Sequence, residues 1–585
     1  MKRYNFFAFV LLFGLLAACS EDFLDRPPRD EAGSDFLNGG DQNATVITNA
    51  AYSSLQKNGL YARLLVLATQ SRSDESRVTK NTPKMEEDGM AAASYTNNAS
   101  GKVGEMIWRD SFNGIFRANV ALDYVKDNEN VNEKLRKRLA GEAYFLRAMY
   151  YLNVVMLYGE IVPECRDSKS VLNPPFEHED NVWNMMIEDL TNAQELFEEV
   201  DFTNLTWAAD DRGRANLGAA TALLGKVYLY YAQMRKNNDP ELINKAKAEL
   251  FKVYNQQVGA YALTYNYLDN FRSATEYNEE SIFEVGFADY GQKIWEIDQD
   301  NAGASETNFL AKSSTMCDGV GLMWWNESPS ARIYNEYERF GEEIIDYRCY
   351  YTMWIPGGAY FNDYEFGTLK DRVLSYEDSP WPNKENNPVS TIWGKEYDDY
   401  RFYGWRKYGY DYNFWLKDGI DPNNTTGSDI NYRYMRYADV LLLLAECEAY
   451  LGGDAFTYID QVRDRANHQL DAIEDPGQAD WGNTELPYFA AEGRLPKAVL
   501  SIYRDNPIAA VQHERMVELA CESARYFDII RWDAAGVLLD LRKEGFPRAQ
   551  ADDVIIDPAF DGNFLFPIPQ SELNNNKYMR PNSAN

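Results

Sequence analysis

The stretch that most constrains this chain runs from Arg433 to Asn467 and reads RYMRYADVLLLLAECEAYLGGDAFTYIDQVRDRAN. Its apolar residues Val440, Leu443, Leu444, Cys447 and Leu451 recur at three- and four-residue steps, the period of one buried helix face. Ala438, Ala445 and Ala449 form a second face of small residues that another helix can approach closely. Gly452 and Gly453 stop the helix, because glycine adopts the left-handed C-terminal conformation without steric cost. Asp454 is placed to accept a hydrogen bond from the free N–H groups of a following helix with Ile459, Val462 and Ala466 on its face. The spacing predicts a helical hairpin.

One such hairpin cannot bury both its faces, so others should stack on it. The run from Ala140 to Tyr158 is followed by Val182, Met186, Leu190 and Phe197 on one side of a second amphipathic run. The run from Asn216 to Met234 is followed in the same way by Leu242, Ala246, Leu250 and Val253. Each pairs an alanine- and aromatic-rich helix with a more charged one, which resembles tetratricopeptide architecture without its strict period of about 34 residues. An ordinary helical bundle fits the periodicity equally well. Either way the expected class is mainly α.

At the start of the chain, Lys2 and Arg3 precede an apolar run from Phe6 to Leu16, too short to span a bilayer core of roughly 30 Å. Residues 1–18 read as a signal peptide. Leu16-Ala17-Ala18-Cys19 resembles the lipobox of bacterial lipoproteins, which implies acylation of Cys19; the alternative is a plain secretory signal. Several acyl chains, at about 0.8 kcal/mol per buried methylene, hold a protein on a membrane where one does not. Ser20, Glu21 and Asp22 resemble a signal for the outer leaflet of the outer membrane. Residues 19–35, with Pro27, Pro28 and Gly33, are expected to form a tether.

Acidic residues outnumber basic ones by 91 to 58, a formal charge of -33, and no long basic run interrupts them. Tracking phosphates needs the opposite sign, so nucleic acid is not an expected partner. A hydrophobic content of 45%, with 14% aromatic residues, supplies a large core. Setting Cys19 aside leaves Cys165, Cys317, Cys349, Cys447 and Cys521, an odd and scattered set that does not read as a disulfide framework. Neither these nor the separated His178, His468 and His513 have metal-site spacing, so no metal or other cofactor is expected. Asp298, Asp300 and Gly303 echo a calcium loop, but Ala302 and Phe309 occupy positions where ligands belong. Nucleophile elbow, phosphate-binding loop and dinucleotide fingerprint are all missing. Paired carboxylates are the one catalytic device left open, since their separation in space is what matters.

From Tyr261 to Tyr432 the helical rhythm gives way to aromatics, Gly, Asn, Asp and Pro, with a short strand expected at Ser281–Phe287. Trp295, Trp324, Trp325, Trp354, Trp381, Trp393, Trp405 and Trp415 all fall in this region. A flat ring matches the apolar face of a pyranose, and loops on a rigid scaffold are a usual place for a site. The other reading, favoured for any single tryptophan, is that these rings fill core beneath long loops.

Ordered motifs run through the chain: Asp22 to Asp25 as DFLD, Trp108 to Asn119 as WRDSFNGIFRAN, Leu146 to Pro163 as LRAMYYLNVVMLYGEIVP, Arg436 to Glu446 as RYADVLLLLAE, and Ile459 to Ala466 as IDQVRDRA. Glu514 to Trp532 as ERMVELACESARYFDIIRW and Phe564 to Leu573 as FLFPIPQSEL follow. Together with Cys19 these resemble the SusD/RagB family of outer-membrane nutrient-binding lipoproteins over nearly the whole chain.

The resemblance implies a tetratricopeptide-like helical-hairpin scaffold with a large loop-rich insertion containing short strands. It divides the chain into a helical N-terminal region at 36–260, an insertion at 261–432 and a C-terminal helical region at 433–585 that completes the scaffold. It also implies a non-catalytic, lipid-anchored outer-membrane protein facing the cell exterior. Such a protein binds oligosaccharide and passes it to a SusC-like TonB-dependent transporter; peptide binding, as in the RagB branch, and a surface glycoside hydrolase are the alternatives. The implied ligand surface comes from two stretches, about Thr69–Glu105 and Gly286–Met323 with Trp324 and Trp325. Asp74 and Arg77 are then expected to bond hydroxyls, and Trp295, Trp324 and Trp325 to stack on sugar. The first stretch offers Tyr95 but no tryptophan, a departure from starch-binding members.

Overall fold

The computed structural model describes residues 39–79, 95, 97–159, 162–169, 180–288, 327–337, 339–340, 343–344, 346, 348–354, 404–405, 407–408, 428–474, 503, 505–538, 555–556 and 564–582. Its helices are α1 (Asp41–Leu55), α2 (Leu64–Ser71), α3 (Lys102–Val125), α4 (Glu133–Tyr158), α5 (Asn181–Glu199), α6 (Leu217–Arg235) and α7 (Pro240–Tyr254). After these come α8 (Ala331–Glu336), α9 (Arg348–Thr352), α10 (Tyr437–Leu451), α11 (Phe456–Glu474), α12 (Pro507–Leu519), α13 (Ala524–Ala534) and α14 (Gln570–Asn575). Local chemistry sets many of the starts. The side chains of Asn132, Asn216, Asp239 and Asn506 accept hydrogen bonds from the first turns of α4, α6, α7 and α12. Pro240 and Pro507 open two of these helices, where no backbone donor is lost.

The helices stack in series, each packed on the next: α3 on α4, α4 on α5, α5 on α6, α6 on α7, α7 on α10 and α10 on α11. The fold is mainly α with stacked hairpins, as expected. Val182, Met186, Leu190, Phe197, Ala246, Leu250 and Val253 are all buried at these seams. Leu242 is only half-buried, because α7 turns Ile243 inward instead. At the α6–α7 crossing a Cβ on Gly225 would lie 2.6 Å from Leu250 Cγ, so only glycine lets the two helices come this close.

The expected hairpin is α10 and α11. Every residue of α10 from Tyr437 to Cys447 is buried, because α7, α11 and α12 cover it on different sides. Gly452 takes the left-handed C-terminal conformation at φ 74°, and Asp454 Oδ1 accepts from the Phe456 N–H at 3.0 Å. One part of the hairpin reading is corrected: Tyr432–Arg436 is a strand, not helix. It pairs antiparallel with Ser281–Val285, and the Tyr437 N–H donates to the Glu280 carbonyl at 2.8 Å as α10 begins.

The strands are β1 (Ser76–Thr79), β2 (Ser281–Val285), β3 (Glu327–Pro329), β4 (Arg339–Phe340), β5 (Glu343–Ile344), β6 (Met353–Trp354), β7 (Gly404–Trp405), β8 (Tyr432–Arg436) and β9 (Ile555–Ile556). They form a β3-β1-β9 sheet and three antiparallel pairs, β2-β8, β4-β5 and β6-β7. Among the described residues Cys165, Cys447 and Cys521 are buried free thiols, and Cys349 is buried too.

Candidate functional site

The three-stranded sheet joins the two stretches expected to carry the ligand surface. β1 is its middle strand, in register with β3 through Ser76–Pro329, Arg77–Ser328 and Val78–Glu327, and with β9 through Val78–Ile556 and Thr79–Ile555. The β1–β3 pairing is antiparallel, so the end of β1 at Thr79 and the start of β3 at Glu327 lie at the same end of the sheet. The chain that follows Thr79 and the chain that precedes Glu327 are therefore attached side by side.

The approach to β1 is clamped. Arg72, Ser73, Asp74, Glu75 and Ser76 are all buried. The Asp74 carboxylate receives two hydrogen bonds from the Arg525 guanidinium, at 2.6 and 2.7 Å. Ser330 donates from its N–H to the Glu75 carbonyl at 2.9 Å and from its hydroxyl to the Asp74 carbonyl at 2.6 Å. The Ser76 hydroxyl donates to Glu327 Oε2 at 3.1 Å. Arg72 bonds Tyr526, Asn97 and the Phe564 carbonyl, with its guanidinium between the rings of Tyr95 at 4.0 Å and Phe566 at 4.3 Å.

This geometry corrects two expected ligand contacts. Asp74 is fully buried in a bidentate ion pair, so its oxygens are committed to Arg525 and do not meet a surface hydroxyl. Tyr95 is half-buried; its hydroxyl donates to the Arg72 carbonyl, one ring face carries the Arg72 guanidinium, and Phe564 packs edge-on at 6.4 Å. It closes the clamp rather than offering a stacking surface. Thr69, the expected start of the first loop, lies inside α2. The backbone of Arg77 lies in β1 opposite Ser328. Cys19, Trp295, Trp324, Trp325 and the calcium-like residues Asp298, Asp300 and Gly303 lie outside the described residues. Of the insertion tryptophans, Trp405 is buried and follows the core-filling reading.

Beneath the sheet lies what the sequence reading missed, a buried ionic lattice built from the helical motifs. Glu518 on α12 receives hydrogen bonds from Arg436 at 2.6 Å, Arg348 at 2.9 Å and Arg465. Glu280 receives Arg436 at 2.6 Å and Arg465 at 2.9 Å. Burial alone would raise the Glu280 carboxyl, but the Arg465 and Arg436 charges outweigh it and hold it at about 2. Asp439 joins Lys226 at 3.1 Å to Arg515 at 2.7 Å, Arg515 continues to Asp528 at 2.7 Å, and Arg531 links Asp528 at 2.6 Å to Glu446 at 2.8 Å. Charged residues within otherwise apolar motifs were the available signal: Arg436, Asp439 and Glu446, three and seven apart, in one, and Glu514, Glu518 and Glu522, four apart, in another.

A cavity of about 40 Å³ among Tyr61, Lys226, Tyr230, Arg433 and Glu522 suits water-sized molecules, against the several hundred Å³ of a ligand pocket. Among the described residues, no group of three or more His, Cys, Asp or Glu is arranged to hold a metal ion. Among the described residues the rings of Phe116, Phe251, Tyr265 and Tyr578 are exposed, and Phe251 stacks on Tyr254 at 5.7 Å.

Comparison with known proteins decides the family. Residues 279–584, more than half of the chain, match the sequence model of the SusD family. The chain belongs to the SusD family. Residues 22–229 match a second SusD-like model, described as starch-binding and associating with the outer membrane. SusD-like protein P25 of Formosa agariphila is 26% identical over 606 residues, covering 100% of this chain and 99% of that one. A SusD-like protein of Bacteroides ovatus is 25% identical over 469 residues, covering 77% of this chain and 74% of that one. Among solved structures, a laminarin-binding SusD-like protein superposes with a TM-score of 0.64 at 22% identity, covering 93% of this chain and 99% of that one. Surface glycan-binding protein A of Bacteroides thetaiotaomicron, in complex with laminarihexaose, has a TM-score of 0.64 at 18% identity, covering 92% and 99%. These likenesses establish the SusD fold here. SusD-like glycan-binding proteins are non-catalytic, and the family associates with the outer membrane. Among the described residues no helix is long and apolar enough to cross a membrane.

Proposed function

We propose that this chain is a cell-surface lipoprotein of the outer membrane that binds a neutral oligosaccharide and delivers it to a SusC-like TonB-dependent transporter. The observation that carries the reading is the β1–β3 register, which attaches the chain after Thr79 and the chain before Glu327 at one end of a clamped sheet. Trp324 and Trp325 stand immediately before that junction in sequence, separated from Glu327 by Asn326, and Trp295 belongs to the same stretch. Their rings are the proposed stacking surface, and Arg77 in β1, with its five N–H donors, is the proposed hydroxyl partner. Acylation at Cys19 supplies the anchor and leaves the body outside the cell. The related glycan-binding proteins support a saccharide ligand.

The test is calorimetric titration of protein beginning at Ser20 with laminarin and starch oligosaccharides, other neutral glycans and mixed peptides. Saturable binding of a neutral glycan, weakly dependent on salt and with no cleavage products after long incubation, is expected. Binding of peptides alone moves the protein to the RagB-type role. Cleavage that survives repurification moves it to a glycoside hydrolase. Delivery is tested separately, by asking whether a TonB-dependent transporter copurifies with the full-length lipoprotein.

A further inference from the structure

Glu75 stands apart from every other acid around the sheet. It is fully buried, and among the described residues neither of its carboxylate oxygens meets a hydrogen-bond donor. The acids beside it are provided for: Asp74 has Arg525 and Glu327 has the Ser76 hydroxyl. Both nearby cations are committed elsewhere. Arg525 is bidentate on Asp74, and Lys407 Nζ donates to the Glu518 carbonyl at 2.9 Å and to Glu522 Oε1 at 2.8 Å. The groups acting on Glu75 are thus Asp74 on its own segment, Arg525 of α13, Lys407, Glu327 of β3 and the Cys521 thiol of the α12–α13 turn. A charged carboxylate here would be buried beside the Asp74 and Glu327 carboxylates with no donor of its own among the described residues, so the proton is the cheaper partner.

We propose that Glu75 is a proton-held clasp: it is carried neutral in the folded protein, and losing its proton loosens the junction of β1 with β3 and the α12–α13 turn. The clasp sits where it can act, because Glu75 immediately precedes β1 and its own carbonyl takes the Ser330 N–H. Burial, then the Asp74 charge, push its carboxyl well above the ordinary glutamate value, with Arg525 and Lys407 only partly opposing them. The sign follows. The proton stabilises the closed junction fully below the ordinary value near 4.3, and that stabilisation is lost as pH rises toward the folded-state value. This inference does not depend on which ligand the protein binds.

Amide hydrogen exchange of the full chain across about pH 5.5 to 8.5, corrected for intrinsic exchange, reads the opening of β1 directly. In the wild type the opening equilibrium of the Ser76–Thr79 amides should rise with pH by up to about tenfold per pH unit, while the buried amides of α4 stay unchanged. Glu75→Gln keeps the shape and removes the titrating group, so its β1 opening should be independent of pH. A wild-type β1 profile that is flat across the range overturns the proposal, and that measurement stands even if the variant fails to fold. A Glu75→Gln profile with the wild-type slope overturns it as well.

Discussion

Replacing Glu518 by glutamine removes one negative charge from the centre of the buried lattice while leaving its volume almost unchanged. The carboxylate accepts from Arg436 at 2.6 Å, from Arg348 at 2.9 Å and from Arg465, all of them buried. Each guanidinium keeps a second acid, Glu280 for Arg436 and Arg465 and Asp346 for Arg348, so none is wholly orphaned. Even so, one side of three charge-assisted contacts disappears and a glutamine N–H₂ is turned toward cations. Breaking a buried pair by removing one partner costs about 3–5 kcal/mol. At about 2.1 cal/mol/K per residue, the 585 residues carry an unfolding entropy near 1.2 kcal/mol/K, so a cooperative melt should fall by about 2–4 °C. The pH profile carries a second signature. Burial pushes the Glu518 carboxyl up, but Arg465, Arg436, Arg348 and Lys407 together hold it far below the ordinary carboxylate range. Its stabilisation is therefore complete above about pH 4.3 and lost as pH falls through the folded value, so the gap between wild type and variant should be constant from neutral to mildly acidic pH. Differential scanning calorimetry at several pH values measures both. A fall of less than about 1 °C, or a gap that is larger at pH 5 than at pH 7, refutes the claim that Glu518 is a charged hub.

Gly225→Ala should destabilise despite alanine's helix-propensity advantage of about 1 kcal/mol, because the new Cβ would lie 2.6 Å from Leu250 Cγ and 3.2 Å from the Ala246 carbonyl oxygen. Chemical denaturation reads the sign, and a stabilised variant contradicts the close α6–α7 approach. Cys19→Ala should leave the protein soluble or mislocalised; its retention in the outer-membrane fraction of cells lacking the transporter argues against lipid anchoring. Trp324→Ala and Trp325→Ala should each cost more than about 1 kcal/mol of glycan affinity in calorimetry while leaving the melting temperature unchanged. Normal binding together with a much lower melt would make them core residues instead.

The scaffold was legible because its signals are local. Val440, Leu443, Leu444 and Cys447 repeat at the helical period, Gly452 stops the helix and Asp454 starts the next, and each of these acts within a few residues of itself. What the sequence hid is set by partners hundreds of positions away. Asp74 reads as a loop acid until Arg525, 451 residues on, takes both its oxygens. Tyr95 reads as a free ring until the Arg72 guanidinium covers it and Phe564 meets its edge. Arg433–Arg436 continues a helical pattern, yet it becomes strand because Ser281–Val285 offers it a ladder from across the chain. No periodicity distinguishes an acid that faces solvent from one that faces a guanidinium, since both are polar positions on an otherwise apolar element. The cost of burying an unpaired charge does distinguish them, and that cost exists only once the fold has chosen the partners. By this logic the acids of RYADVLLLLAE and ERMVELACESARYFDIIRW belong to the scaffold that holds β1 and β3 in place. On the proposed function, glycan recognition is left to residues outside those motifs.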